Sequence, residues 1–148
     1  MAALQAVGEG AMIVDLRSDD ERRREGLIPG SVHIPRSVLE WRLDPDSGYA
    51  NPYVRPGQRV IVFCAHGFSS SFAAATLRDL GWWTATDIVG GYEGWKAAGL
   101  PTREVRADDE AADGRLPGMG PPAQARSVEA RVDRWSEDAS DSRTKGGV

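Results

Sequence analysis

Along the first hundred positions, apolar residues fall into short runs divided by charged or turn-forming stretches. Residues 11–16 form an apolar run that predicts a buried strand, and the charged residues 19–25 behind it predict a short helix. A helix is also expected over residues 2–7, ahead of that strand. Residues 26–30 (Gly-Leu-Ile-Pro-Gly) carry turn chemistry, and residues 31–34 read as a second short strand. A helix over 37–43 would use Val38, Leu39 and Trp41 as its apolar positions, followed by a long Pro-, Gly- and Asn-rich surface loop over 44–57. Residues 59–63 give the clearest strand signal, apolar without alternation, as in the centre of a parallel sheet. A helix over 70–80 would place Phe72, Ala75, Thr76 and Leu80 on one face, with Gly81 as its stop signal. A strand over 84–89, a Gly90-Gly91 turn and a helix over 92–98 ended by Gly99 complete the series.

Strands alternating with helices at this spacing predict an α/β fold, a small parallel β-sheet flanked by helices on both faces. Such sheets bind ligands at the carboxyl ends of their strands. The loops that begin at Arg17, Pro35, Cys64 and Gly90 should therefore share one edge. From residue 102 the texture changes to Ala, Asp, Glu, Arg, Gly, Pro and Ser with few large apolar side chains. The domain is therefore expected over 1–101 and a mostly disordered tail over 102–148. Within that tail, a short helix over 122–136 would put Ala125, Val128, Val132 and Trp135 on one stripe.

Charge and composition narrow the function classes. The formal charge of −4 lacks the basic excess of a nucleic-acid partner, so none is expected. No apolar run reaches membrane-spanning length, and the amino terminus has no signal-peptide pattern. A cytoplasmic location without a membrane partner is the expectation. With one cysteine in the chain, an internal disulfide and a thiolate metal cluster are both ruled out. No metal and no cofactor is expected, and any transfer through that cysteine must finish on an outside partner.

The cysteine, Cys64, opens the segment Cys64, Ala65, His66, Gly67, Phe68, Ser69, Ser70 between the clearest strand and a helix. Backbone N–H groups in a tight loop entering a helix converge into an anion-binding concavity. A cysteine at its mouth is held as a thiolate, and a persulfide formed on it would sit in the same cradle. Gly67 would allow positive φ there, and Ser69 or Ser70 would cap the helix. For His66, a proton shuttle, a substrate contact and a plain solvent-facing residue all stay open. His33 reads as structural. Asp15 reads as a hydrogen-bonder to loop backbone, and Trp41, Trp82 and Trp83 as packing residues.

Cys64, Gly67 and Ser70 match a Cys-x-x-Gly-x-Arg-Ser loop, and the chain resembles the rhodanese-like domain, the single-domain sulfurtransferase family, over residues 1–101. Asp15-Leu16-Arg17 resembles that family's Asp-x-Arg. Residues 25–31 with Ile34-Pro35 resemble its Gly-His-Ile-Pro-Gly-Ala loop and following Ile-Pro, and Gly90-Gly91 with Trp95 its Gly-Gly-x-x-x-Trp. The resemblance implies a rhodanese-like fold and transfer of sulfane sulfur through a persulfide on Cys64. A small-molecule or protein donor would load it, and a thiol or cyanide-type acceptor would unload it. Ser69 stands where the family has its loop arginine, which implies a weak grip on thiosulfate, with Arg17 and Arg36 as substitute substrate contacts. A catalytically weak binding or sensing module is the alternative. A cysteine phosphatase would need an arginine at the position of Ser70, and the loop has none.

Overall fold

The run at residues 60–63 becomes β3 (Val60–Phe63), buried at every position because its two faces enter two different cores. Val60 and Val62 pack with Val14, Leu39 and Leu77 on one side, while Ile61 and Phe63 pack with Ile13, Tyr92 and Trp95 on the other. The computed structural model describes residues 2–111. Its sheet has the order β2 (Val32–His33), β1 (Met12–Asp15), β3, β4 (Thr86–Asp87), and every pairing is parallel. Register pairs Val14 with Val62 and Asp15 with Phe63, which levels the carboxyl ends of the two central strands.

α1 (Ala2–Gly8) and α5 (Gly91–Ala97) supply Ala6, Tyr92 and Trp95 to one core. α3 (Leu39–Leu43) and α4 (Phe68–Asp79) supply Leu39, Leu43, Ala73, Ala74 and Leu77 to the other. α2 (Asp19–Glu25) starts on a capping box in which Ser18 and Glu21 exchange side chain-to-backbone bonds. A cap of this kind stabilises a helix by about 1 kcal/mol, enough to fix so charged a segment.

Some expectations change. The helix expected over 37–43 is a 3-10 turn (Arg36–Val38) followed by α3. α4 begins at Phe68, on Gly67 with φ 91°, so neither Ser69 nor Ser70 caps it. Its buried face is Ser70, Ala73, Ala74 and Leu77, and the face through Phe72 and Leu80 is exposed. Trp41 and Trp83 are exposed as well. Trp41 packs on Tyr49 at 4.5 Å between ring centroids, while Trp82 donates its indole N–H to the Leu43 carbonyl.

Beyond α5, the Trp95 indole binds the Pro101 carbonyl, and Arg103 pairs antiparallel with Leu27. A last helical turn, α6 (Ala107–Ala111), follows. The stripe expected over 122–136, and the tail beyond 111, lie outside the described residues. No helix among the described residues is long and apolar enough to cross a membrane.

Candidate active site

Cys64 is the first residue after β3, and its loop is held from behind by α5. The Tyr92 N–H binds the Cys64 carbonyl at 2.8 Å, and the Glu93 N–H binds the Ala65 carbonyl at 3.1 Å. Across a trans peptide, N–H and C=O point oppositely, so the N–H groups of Ala65 and His66 face away from α5. The fit is tight. A Cβ on Gly91 (φ 61°) would collide with the Cys64 carbonyl oxygen and lie 2.7 Å from the Gly67 nitrogen. Gly90 and Gly91, expected from sequence as a turn, let the helix terminus touch the loop.

Cys64 is 9% exposed, and its Sγ accepts the Gly67 N–H at 3.1 Å, with Ser70 Oγ at 3.4 Å. Burial pushes this thiol up, but hydroxyl donors from Ser69 and Ser70 and backbone N–H donors from Ser70 and Gly67 outweigh it. The result is a thiol lowered to about 7. A large fraction is thiolate at neutral pH, and a thiolate is the nucleophilic form.

The thiol opens into a cavity of about 240 Å³ lined by Leu16, Arg17, Glu21, Cys64, Ala65, His66, Phe68 and Ser69. The structure thus brings Cys64, Ala65, His66, Phe68, Ser69 and Arg17 to one cavity. Gly67 and buried Ser70 sit directly behind the thiol. Arg36 is not among the lining residues, and its guanidinium holds Glu40 at 2.6 Å. Phe68, 79% exposed, stands at the rim. A roomier groove by Trp41, Pro45, Leu80 and Trp82, about 300 Å³, has no cysteine or histidine in its lining.

Arg17 is in the cavity wall, but its guanidinium is spent elsewhere. It is 2% exposed and donates to both oxygens of Asp15 (3.0 and 2.8 Å), to Glu25 (3.3 Å) and to the Gly26 carbonyl (2.8 Å). It also lies 3.9 Å over the Tyr92 ring. Burial opposes its charge, yet Asp15, Tyr92 and Glu25 raise its affinity for the proton. Arg17, expected as a possible substrate contact, is thus held in a buried clamp, and Arg36, expected in the same role, is paired with Glu40. Asp15 also accepts the Arg17 backbone N–H, the loop-bracing role expected of it. His33 is buried, its Nε2 donating to the Arg17 carbonyl at 2.8 Å.

Glu21 is a charged lining residue not among those expected from sequence. The Ser18 N–H holds its carboxyl below the usual range, so the cavity rim carries a fixed negative charge. Among the described residues there is no cluster of side chains able to hold a metal ion.

A family model described as rhodanese-like domain matches residues 2–98. The thiosulfate sulfurtransferase GlpE of Actinobacillus succinogenes is 36% identical over 94 residues, covering 63% of this chain and 76% of that protein. The adenylyltransferase and sulfurtransferase MOCS3 of Arabidopsis thaliana is 33% identical over 60% of this chain, which spans 21% of that longer protein. Among solved structures, the human single-domain sulfurtransferase TSTD1 superposes with a TM-score of 0.55 at 27% identity, covering 65% of this chain and 90% of that one. A Rhodopseudomonas palustris protein of unknown function, described as a possible tyrosine phosphatase, superposes at 0.64 with 36% identity, covering 69% and 77%.

Proposed function

The chain belongs to the rhodanese-like domain family of sulfurtransferases, and from that premise we propose that it moves sulfane sulfur from thiosulfate to a thiol through a persulfide on Cys64. The observation that carries this reading is the lowered thiol at the base of the cavity, ringed by hydrogen-bond donors. The Cys64 thiolate attacks the outer sulfur of thiosulfate, the S–S bond breaks, and sulfite leaves with its electron pair. The persulfide anion then rests among the donors that first stabilised the thiolate. An acceptor thiolate attacks its terminal sulfur, takes it as a new persulfide, and returns Cys64 to the thiolate. Cyanide would leave as thiocyanate by the same displacement.

Thiosulfate as donor is supported by the similarity to GlpE of Actinobacillus succinogenes, whose name carries that substrate. Ser69 brings no guanidinium to the donor's anionic end, but its hydroxyl lowers the nucleophile's pKa. Phosphate-ester cleavage would need a guanidinium for the transferring group. The loop has none, and Arg17 is fully engaged. Mass spectrometry after incubation with thiosulfate tests the proposal. The native chain should gain one sulfur atom that a thiol reductant removes, and Cys64→Ser should gain none while keeping its circular dichroism spectrum. Sulfur gain by Cys64→Ser would remove Cys64 from the mechanism. No gain by the native chain from any donor would leave a binding module.

A further inference from the structure

With Ser69 in the loop, the donor's anionic end has no arginine to meet, and the structure withholds the two arginines nearest in sequence logic. Arg17 is buried among Asp15, Glu25 and the Gly26 carbonyl, and Arg36 is tied to Glu40 outside the cavity lining. The titratable groups lining the cavity among the described residues are Arg17 and Glu21 from the β1–α2 segment and Cys64 and His66 from the loop. Behind the loop, α5 contributes Glu93, whose backbone N–H is on the Ala65 carbonyl. Glu21 is anionic and repels a dianion. His66 is exposed, and it alone of these four is a cation-forming group without a carboxylate already bound.

We propose that His66 is the donor-binding residue of this site, its imidazolium gripping the sulfonate end of thiosulfate in place of a loop arginine. The inference rests on the persulfide reading of Cys64 and adds to it the residue that selects the donor. His66 transfers no proton. Its positive charge offsets the charge that builds on the departing sulfite as the S–S bond breaks, which strengthens in the transition state. An alkyl persulfide expels an alkyl thiolate and carries no sulfonate, so it gives His66 nothing comparable to hold.

Single-turnover sulfur loading of Cys64 tests this with thiosulfate and with 2-hydroxyethyl persulfide, on the native chain, His66→Gln and His66→Arg. His66→Gln should lose about tenfold or more in kcat/KM for thiosulfate, the usual size of a lost charge-assisted contact, and less than about twofold for the persulfide. His66→Arg should restore thiosulfate loading. Alkylation of Cys64 by uncharged iodoacetamide should keep the same pH midpoint in all three proteins. Equal losses on both donors, an unchanged thiosulfate rate, or a shifted alkylation midpoint in His66→Gln would each overturn the assignment. Failure of the native chain to load from either donor would instead bring down the persulfide reading beneath it.

Discussion

At the scale of single residues, the site turns on how many donors reach one sulfur atom. Burial by itself would leave Cys64 a protonated, inert thiol, and the lowering to about 7 comes from Ser69, Ser70 and Gly67. The rate of Cys64 alkylation should therefore rise with pH around a midpoint near 7. Ser69→Ala removes one hydroxyl donor to the thiolate, and a hydrogen bond to a charged group is worth about 1.5 kcal/mol or more. That corresponds to about one pH unit, so the Ser69→Ala midpoint should move up by about that much. An unmoved midpoint would show that the hydroxyl does not reach the thiolate. Cys64 was legible in the sequence because strand, cysteine, glycine and serines occur in the order that builds an anion cradle. The serines at 69 and 70 suggest helix caps in sequence, since serine at a helix start ordinarily caps it. Here Gly67 opens the helix without a side-chain cap, leaving both hydroxyls to the sulfur. The fate of Arg17 was illegible for a different reason. Its partners Asp15, Glu25 and Gly26 converge only once β1 and α2 have folded against each other.

At the scale of elements, the Cys64 loop is as much a product of α5 as of β3. The amino end of α5 donates two N–H groups to the loop's carbonyls and touches it where only a hydrogen fits. Gly91→Ala adds a methyl group directly into the Cys64 carbonyl at a φ of 61°, so the loop must shift away from the helix. A displacement of this kind near reacting atoms costs on the order of a hundredfold in rate. Gly91→Ala should lose sulfur loading to about that extent from thiosulfate and persulfide alike, which separates it from the donor-selective His66 variants. Loading at native rates would mean that α5 does not set the loop. The sheet was legible because continuous apolar runs occur where two cores sandwich a strand. The face of α4 was not, because Phe72-Thr76-Leu80 and Ala73-Ala74-Leu77 both fit a helical repeat. Packing decides between them: small residues let the helix approach the sheet closely, and Phe68 and Phe72 are left outside at 79% and 74% exposure.

At the scale of the whole molecule, the question is how far the domain's own structure runs along the chain. The change in composition at residue 102 set the expected end of the domain at 101. Yet the Leu27 N–H binds the Arg103 carbonyl at 2.8 Å, and the Arg103 N–H binds the Leu27 carbonyl at 3.0 Å. No side-chain pattern announces a pairing made by backbone alone, so this contact has no signature in the residue order. Its position matters, because Leu27 is buried and adjoins Gly26, whose carbonyl holds the Arg17 guanidinium. Further on, the Arg103 guanidinium grips both oxygens of Asp109 at 2.6 Å, which holds that carboxyl down to about 2. Because the folded value lies below the usual one, the pair's contribution is complete above about pH 4 and disappears as pH falls through about 2. Both side chains are partly exposed, so this pair is worth less than about 1 kcal/mol. Three chains, ending at residues 101, 103 and 111, separate the backbone pairing from the ion pair. The chain ending at 103 keeps the pairing with Leu27 and loses residues 104–111, with Asp109 and the short α6, so its Tm should lie within a few degrees of the chain ending at 111. The chain ending at 101 loses both backbone bonds and leaves buried Leu27 groups without partners, a cost of about 2–3 kcal/mol. For a domain near a hundred residues that lowers Tm by about 8–24 °C. The gap between 103 and 111 should also narrow below about pH 2, where Asp109 is protonated and the ion pair is lost. Equal Tm values for all three would show that the fold is complete without the strand-like return at Arg103.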